Sequence, residues 1–321
     1  MDYIEPSEGT LLSKLWSSSN KEQRRRSNFF RDLSRVMLTL AQIPFELIGS
    51  LTINDAGLLQ LKNRPLTFRL HQMENKGIPL NIKRELTYSC AEQYFSDLLS
   101  CHDSRIRHQD NSIIDLEDGE VQLSCLAAIR ALMPHFINHK LRNGPFVFTL
   151  TDIHPNNVFV DEEWNITYLI DLEWACIKPV EMVLPPIWLI GKRVDEMPKG
   201  NILCAYNLIL REFFTCFEEE EKRQASHQAV SLLSARLMKD CWSNGKVWFF
   251  HALDNPKVLA NLFHQHIRQE FLSSCNIKMD FCTRAWLELY SRDAYQLINE
   301  LLADRETYKM RLVNKLKSVA H

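Results

Sequence analysis

Apolar residues recur at helical spacing through most of this chain. Phe29, Leu33, Val36, Met37 and Leu40 fall three or four positions apart and share one face of a helix, which Asn20 is placed to cap and Pro44 to end. A second helix is expected from Ile82 to Cys101. A third is expected over Val121 to Met133, where Cys125, Leu126, Ile129, Leu132 and Met133 form the apolar face and Pro134 kinks or stops it. The charged stretch between them, His102 to Asp118, has no period and reads as a surface loop. From Asn201 onward helical spacing resumes. The charged runs Glu218 to Glu221 and Arg24 to Arg26 read as solvated faces.

Two segments depart from this period. Phe45 to Lys62, with Gly49, Asn54 and Gly57 as turn residues, reads as a short hairpin. Phe146 to Ala175 carries the apolar runs Val158 to Val160 and Ile166 to Ile170 on either side of the polar turn Asp161 to Asn165, and it too reads as a hairpin. Thr151-Asp152-Ile153-His154-Pro155-Asn156-Asn157 precedes the first run, and Asp171-Leu172-Glu173-Trp174-Ala175 follows the second. Polar groups therefore gather at one end of this hairpin.

Composition narrows the class. The chain has nine glycines in 321 residues, well below the average of about 7%, so helices should predominate. The closest pair, Gly49 and Gly57, lies eight positions apart, so no GxG exists. A dinucleotide fingerprint, a Walker loop and a kinase-type glycine-rich loop all need closely spaced glycines to let backbone NH groups approach phosphates. None is present, and neither is the GxSxG turn of a hydrolase elbow. Of nine cysteines the closest two, Cys275 and Cys282, are seven apart, which lacks zinc-ribbon spacing and favours free thiols in a reducing compartment. A formal net charge of -2 offers no basic field for nucleic acid. The start is acidic, unlike a secretory leader, and apolar stretches such as Met182 to Gly191 fall short of the roughly 20 residues that span a bilayer. A soluble, cytoplasmic protein without a membrane partner is expected.

The chemistry-bearing candidates sit at the polar end of the second hairpin. A DxxxxN spacing arises by chance about once in a chain of this length, so its context carries the weight. Asp152 and Asn157 open the hairpin and Asp171 closes it, and a hairpin folds its two ends together. Phosphoryl transfer needs such a set: a carboxylate to orient or deprotonate the attacking hydroxyl, and an amide with a second carboxylate to hold Mg²⁺ on nucleotide phosphates. Each residue also has a plain structural reading. Asp152 and Asn157 could satisfy loop backbone, Asp171 and Glu173 could be strand-end acids, and His154 could be a structural loop histidine. His135 and His139 have i,i+4 spacing, but Pro134 and the lack of an acidic ligand nearby argue against a metal site. Trp242, Trp248, Phe249 and Phe250 read as core before they read as a cleft.

Asp152 to Asn157 resembles the catalytic loop of the aminoglycoside-phosphotransferase and choline-kinase branch of the kinase-like fold, and Ile170 to Ala175 resembles its metal-binding segment. The wording LTDIHPNNVFVDEEWNITYLIDLEWA is most similar to fungal aminoglycoside-phosphotransferase-like proteins. By this resemblance Asp152 is the catalytic base, Asn157 and Asp171 are metal ligands, and Glu173 is a further acidic group near the metal. ATP and Mg²⁺ are the implied cofactors, and a small-molecule or protein hydroxyl is the acceptor. Leu150 and Thr151 stand where the family often has His and Gly. Tyr3-Ile4-Glu5 with Leu11, Leu12 and Trp16 resembles the family's hinge. The implied architecture is mainly α with a small β component: a kinase-like carboxy-terminal lobe whose nucleotide-binding lobe is missing. Residues 1–20 would be hinge-like, 21–200 the lobe core with its catalytic hairpin at 146–175, and 201–321 a helical continuation. The implied activity is phosphoryl transfer if a complete form exists, with a truncated or non-catalytic binding module as the alternative. Self-association through the surface left uncovered is a further expectation.

Overall fold

The computed structural model describes residues 4–5, 7–16, 22–197, 200–227, 231–272 and 279–319. Tyr3 of the hinge-like motif, the expected cap Asn20 and Cys275 lie outside the described residues. In chain order the elements are β1 (Thr10–Leu11), α1 (Leu12–Leu15), α2 (Gln23–Leu40), β2 (Pro44–Phe45), β3 (Ser50–Ile53), β4 (Leu59–Asn63), α3 (Phe68–Asn75), α4 (Ala91–His108) and α5 (Leu116–Phe136). There follow β5 (Phe146–Leu150), β6 (Val158–Val160), β7 (Ile166–Leu169), β8 (Ala175–Pro179), α6 (Asn201–Ser226), α7 (Ala235–Ser243) and α8 (Lys246–Asp254). The last are α9 (Leu259–Leu262), a π-helical turn (Phe263–Ile267), α10 (Arg268–Leu272), α11 (Met279–Tyr290) and α12 (Ala294–Val319). The protein is thus mainly helical with small antiparallel sheets, and its elements fall into two compact units.

The first unit comprises residues 1–68, 83–94 and 138–247 and contains the strands. Two three-stranded sheets run in the orders β1-β6-β7 and β2-β5-β8, and β3 pairs with β4. The expected hairpin over 146–175 is two nested ladders. β6 pairs with β7, setting Val158 opposite Leu169, while β5 pairs with β8, setting Leu150 opposite Ala175. At the tip of the inner ladder Asp161 Oδ1 accepts the NH groups of Glu163 and Asn165, each at 2.9 Å. Trp164 there takes a left-handed φ of 62° and is 2% exposed. It stacks on Trp16, with ring centroids 5.6 Å apart, and Trp16 meets Phe29 at 5.4 Å. Helix α2 braces the same tip, since Asn28 Nδ2 donates to the Glu163 carbonyl and Asp32 Oδ2 accepts Ile166 NH, both at 2.9 Å.

Several expectations are corrected in this unit. Arg24 to Arg26 is not a uniformly solvated face: Arg26 is fully buried and grips Glu212 of α6 through Nε at 3.1 Å and Nη2 at 2.8 Å. Glu220, in the acidic run, is 1% exposed on its side chain and is held by Arg35 and Arg223. Gly49 serves close approach rather than a turn. Its backbone exchanges hydrogen bonds with Ile177 of β8, and a Cβ there would lie 2.6 Å from the Asn63 carbonyl oxygen. The helix expected at Ile82 begins only at Ala91, because Tyr88 pairs its backbone in both directions with Ile48, at 2.7 and 3.0 Å, and holds this stretch extended.

The second unit comprises residues 69–82, 95–137 and 248–321. The stretch expected as a surface loop is helical through His108, and His102, Ser104, Arg105 and Ile106 are buried. Helix α3 escaped the periodicity reading because only Leu70 and Met73 are buried in its two turns. Helix α5 starts earlier than expected, capped by Asp115 Oδ1 on Asp118 NH at 2.9 Å, and keeps Pro134 in its last turn. It ends at Phe136, so His135 and His139 do not share a helix. Phe249 and Phe250 are fully buried, and Phe136 stacks on Phe249 at 4.3 Å, so these aromatics are core. Among the described residues no helix is long and apolar enough to cross a membrane.

Candidate active site

The site lies in the first unit, where the two nested ladders meet. Antiparallel pairing of Leu150 with Ala175 and of Val158 with Leu169 leaves 151–157 and 170–174 as facing loops between two rigid pairs. Cross-links tie the loops together: Thr151 Oγ1 donates to the Trp174 carbonyl at 2.6 Å, and Ile170 NH donates to the Asn157 carbonyl at 3.0 Å. Trp188 Nε1 donates to the Ile153 carbonyl at 2.8 Å and anchors the first loop from outside. Pro155 opens a 3-10 turn, Pro155–Asn157, where its fixed φ is favourable and its missing NH is not needed.

Within this frame Asn157 is 6% exposed. Its Nδ2 donates to the Asp152 carbonyl at 3.0 Å and reaches Asp152 Oδ2 at 3.4 Å, which fixes Asp152 relative to the loop. The Oδ1 of Asn157 takes no hydrogen bond among the described residues and is free for a cation. Asp171 adopts a left-handed conformation, φ 55° and ψ 49°, which Asp and Asn tolerate better than other non-glycine residues. Its carboxylate is exposed and accepts no hydrogen bond among the described residues. His154 Nδ1 accepts Asn156 NH at 3.2 Å, and its Nε2 lies 3.8 Å from Asp152 Oδ2, so the imidazole shapes the loop.

Asp152, Asn157 and Asp171 line one open recess with Leu150, Thr151 and Ile170. Glu173 does not line it; it is exposed on the 3-10 turn Leu172–Trp174. The recess holds about 240 Å³ of open space and has two carboxylates and no cationic side chain in its lining. Among the described residues no three His, Cys, Asp or Glu side chains gather as a metal cage. The donors offered are an amide oxygen and a carboxylate. These hard oxygens suit Mg²⁺, which is commonly held by one or two carboxylates together with substrate phosphates and water.

Thr151 and Trp188 support the site without a local sequence signal: Thr151 stands where the family wording often has Gly, and Trp188 lies beyond the motif, so only folding relates it to Ile153.

A family model described as APH, phosphotransferase enzyme family, matches residues 7–182. The match covers more than half of the chain and every residue lining the recess. No curated protein and no solved structure matches.

Proposed function

Because this chain belongs to the APH phosphotransferase enzyme family, we propose that the recess carries out Mg²⁺- and ATP-dependent phosphoryl transfer to a hydroxyl group. Asp152 orients the acceptor hydroxyl and takes its proton. Asn157 has two tasks: its Nδ2 holds Asp152 in place, and its Oδ1 would hold the metal together with the Asp171 carboxylate. Thr151, tied to the Trp174 carbonyl, keeps the two loops at a fixed separation. Glu173, outside the recess lining, acts at most through the local field. Bound Mg²⁺ would supply neutralisation of charge on the transferring group. The observation that carries this reading is the gathering of Asp152, Asn157 and Asp171 around one recess, with the Asn157 amide clamped to Asp152. The loop wording supports the fungal aminoglycoside-phosphotransferase-like branch and its carboxy-terminal lobe.

The acidic lining favours a second component of the reading. A triphosphate brings several negative charges to two carboxylates with no lining cation, and one divalent ion does not balance them. The 321-residue chain by itself therefore binds MgATP weakly, and covering contacts from elsewhere are needed for efficient turnover.

The test compares wild-type protein with Asp152→Asn, using labelled ATP, millimolar Mg²⁺ and a panel of hydroxyl acceptors. The expected loss in turnover is about 10² to 10⁴, with nucleotide binding retained. Equal turnover in the variant would remove Asp152 from its role. Tight saturable ATP binding by calorimetry would show that another segment supplies the covering contacts.

A further inference from the structure

Helix α12 carries one apolar stripe along its length, and only the first half of that stripe is covered. Ala294, Ile298 and Leu301 fall three or four positions apart, and the same register resumes seven positions later at Tyr308, Leu312 and Leu316. Ala294 and Ile298 are buried, and Ile298 packs on α5 so closely that a Cβ on Gly119 would lie 3.0 Å from its Cγ2. Arg305 marks the change. Its Nη1 donates to the Ile113 carbonyl at 3.0 Å, and every residue from 306 to 316 is exposed. Tyr308 and Leu312 are each 45% exposed and Leu316 is 63% exposed.

Charge divides the helix at the same place. Residues 294–306 hold Glu300, Asp304 and Glu306 against Arg305 alone, whereas residues 307–319 hold Lys309, Arg311, Lys315 and Lys317 and no acidic residue. The near-neutral balance of the whole chain hides this local field. At 3.6 residues per turn, Lys309 and Lys315 stand about 60° to either side of Leu312, so cations border the exposed stripe on both flanks. Lys309 Nζ pairs with Glu306 Oε1 at 2.6 Å, but both side chains are more than half exposed, so the pair contributes little and gives way to a stronger anionic field. A second copy of this segment is a poor occupant of the stripe. Pairing two of them sets four cations against four with no acid between them, and such like-charge juxtaposition is strongly unfavourable.

We propose that the exposed half of α12, over residues 307–319, docks on an anionic lipid bilayer, lying in the plane of the interface with Tyr308, Leu312 and Leu316 turned to the acyl boundary. A helix with an apolar face bordered by lysines and arginines binds such a surface by burying the face and attracting acidic headgroups. Lysine stems lie along the apolar side while their ammonium groups reach the phosphates, and a tyrosine suits the boundary between the two layers. No part of the recess is used, so this assignment stands independently of the phosphoryl-transfer reading.

The experiment is co-sedimentation of the full chain with vesicles of phosphatidylcholine, alone or with about one-third phosphatidylserine. Binding to the phosphatidylserine vesicles is expected to be at least about tenfold tighter than to phosphatidylcholine alone and to weaken as salt rises. A Lys309→Gln, Lys315→Gln double variant should bind about 25-fold more weakly, since each cation near such a surface contributes about fivefold. A Leu312→Ser, Leu316→Ser double variant should lose at least about tenfold through the stripe alone. All four positions are exposed, so both variants should melt with the wild type. Equal sedimentation with both vesicle types, or wild-type binding in either double variant, would overturn the proposal. Failure to bind phosphatidylserine vesicles would overturn it too, and binding to poly-glutamate in that case would favour an acidic protein as the occupant.

Discussion

Glu212→Gln tests whether one buried charge pair holds the brace behind the hairpin at 146–175. Arg26 is fully buried, and Glu212 retains 22% exposure on its side chain, with Arg26 Nη2 within 2.8 Å of Oε2 and 3.0 Å of Oε1. The substitution keeps the shape and one acceptor oxygen but removes the counter-charge from a guanidinium that water does not reach. Stranding one member of a buried pair typically costs 3–5 kcal/mol. The retained acceptor and the partial exposure of Glu212 reduce this to about 2 kcal/mol. For folded units of 150–250 residues that corresponds to a fall in melting temperature of about 4–8 °C. The assay is thermal unfolding followed by circular dichroism. Amide exchange at Ile166 serves as a local readout, since Asp32 of α2 accepts its NH. An Arg26→Met, Glu212→Leu double variant should recover most of the loss, because replacing a buried pair by apolar groups is often neutral. A Glu212→Gln protein melting within about 1 °C of wild type, or a double variant no better than the single one, would refute the reasoning.

At Asp171 the left-handed backbone separates conformation from charge. Asp171→Asn should melt with the wild type while losing Mg²⁺-dependent nucleotide binding, whereas Asp171→Ala should lose both that binding and about 1–2 kcal/mol of stability. Gly49→Ala should lower the melting temperature by about 4–10 °C, because the new Cβ meets the Asn63 carbonyl and disturbs pairing with Ile177. His102, buried and bonded to the Leu253 carbonyl at 3.0 Å, has its pKa lowered by burial from 6.5 to about 4. The unfolded chain therefore binds more protons between about pH 4 and 6.5, so stability rises with pH across that window and falls as pH drops through it. Urea unfolding at several pH values should show a shallower slope for His102→Gln, and equal slopes would contradict the assignment.

The sequence by itself determined the helical class, the inner ladder of the hairpin and the placement of Asp152, Asn157 and Asp171 at its two ends. Those signals are local: spacing of apolar residues, a turn at Asp161 to Asn165, and polar residues at the ends of short apolar runs. Tertiary structure decided what lies further apart in the chain. That β5 pairs with β8, and so holds the two loops face to face, depends on strands more than 20 residues apart, joined through the inner ladder and its two flanking loops and not by a turn of their own. Tyr88 is extended because Ile48 is its partner, and Gly49 is required because Asn63 passes close by, neither of which any local period records. Charge patterning misled most where burial intervened. Arg26, Arg105 and Glu220 look like surface residues by type, and only the elements packed over them show otherwise. Glu173 sits two residues from Asp171 yet does not line the recess, because it lies on the 3-10 turn Leu172–Trp174, where Leu172 and Trp174 take the lining positions. Side-chain direction at such a turn is set by backbone conformation that residue identity alone does not specify.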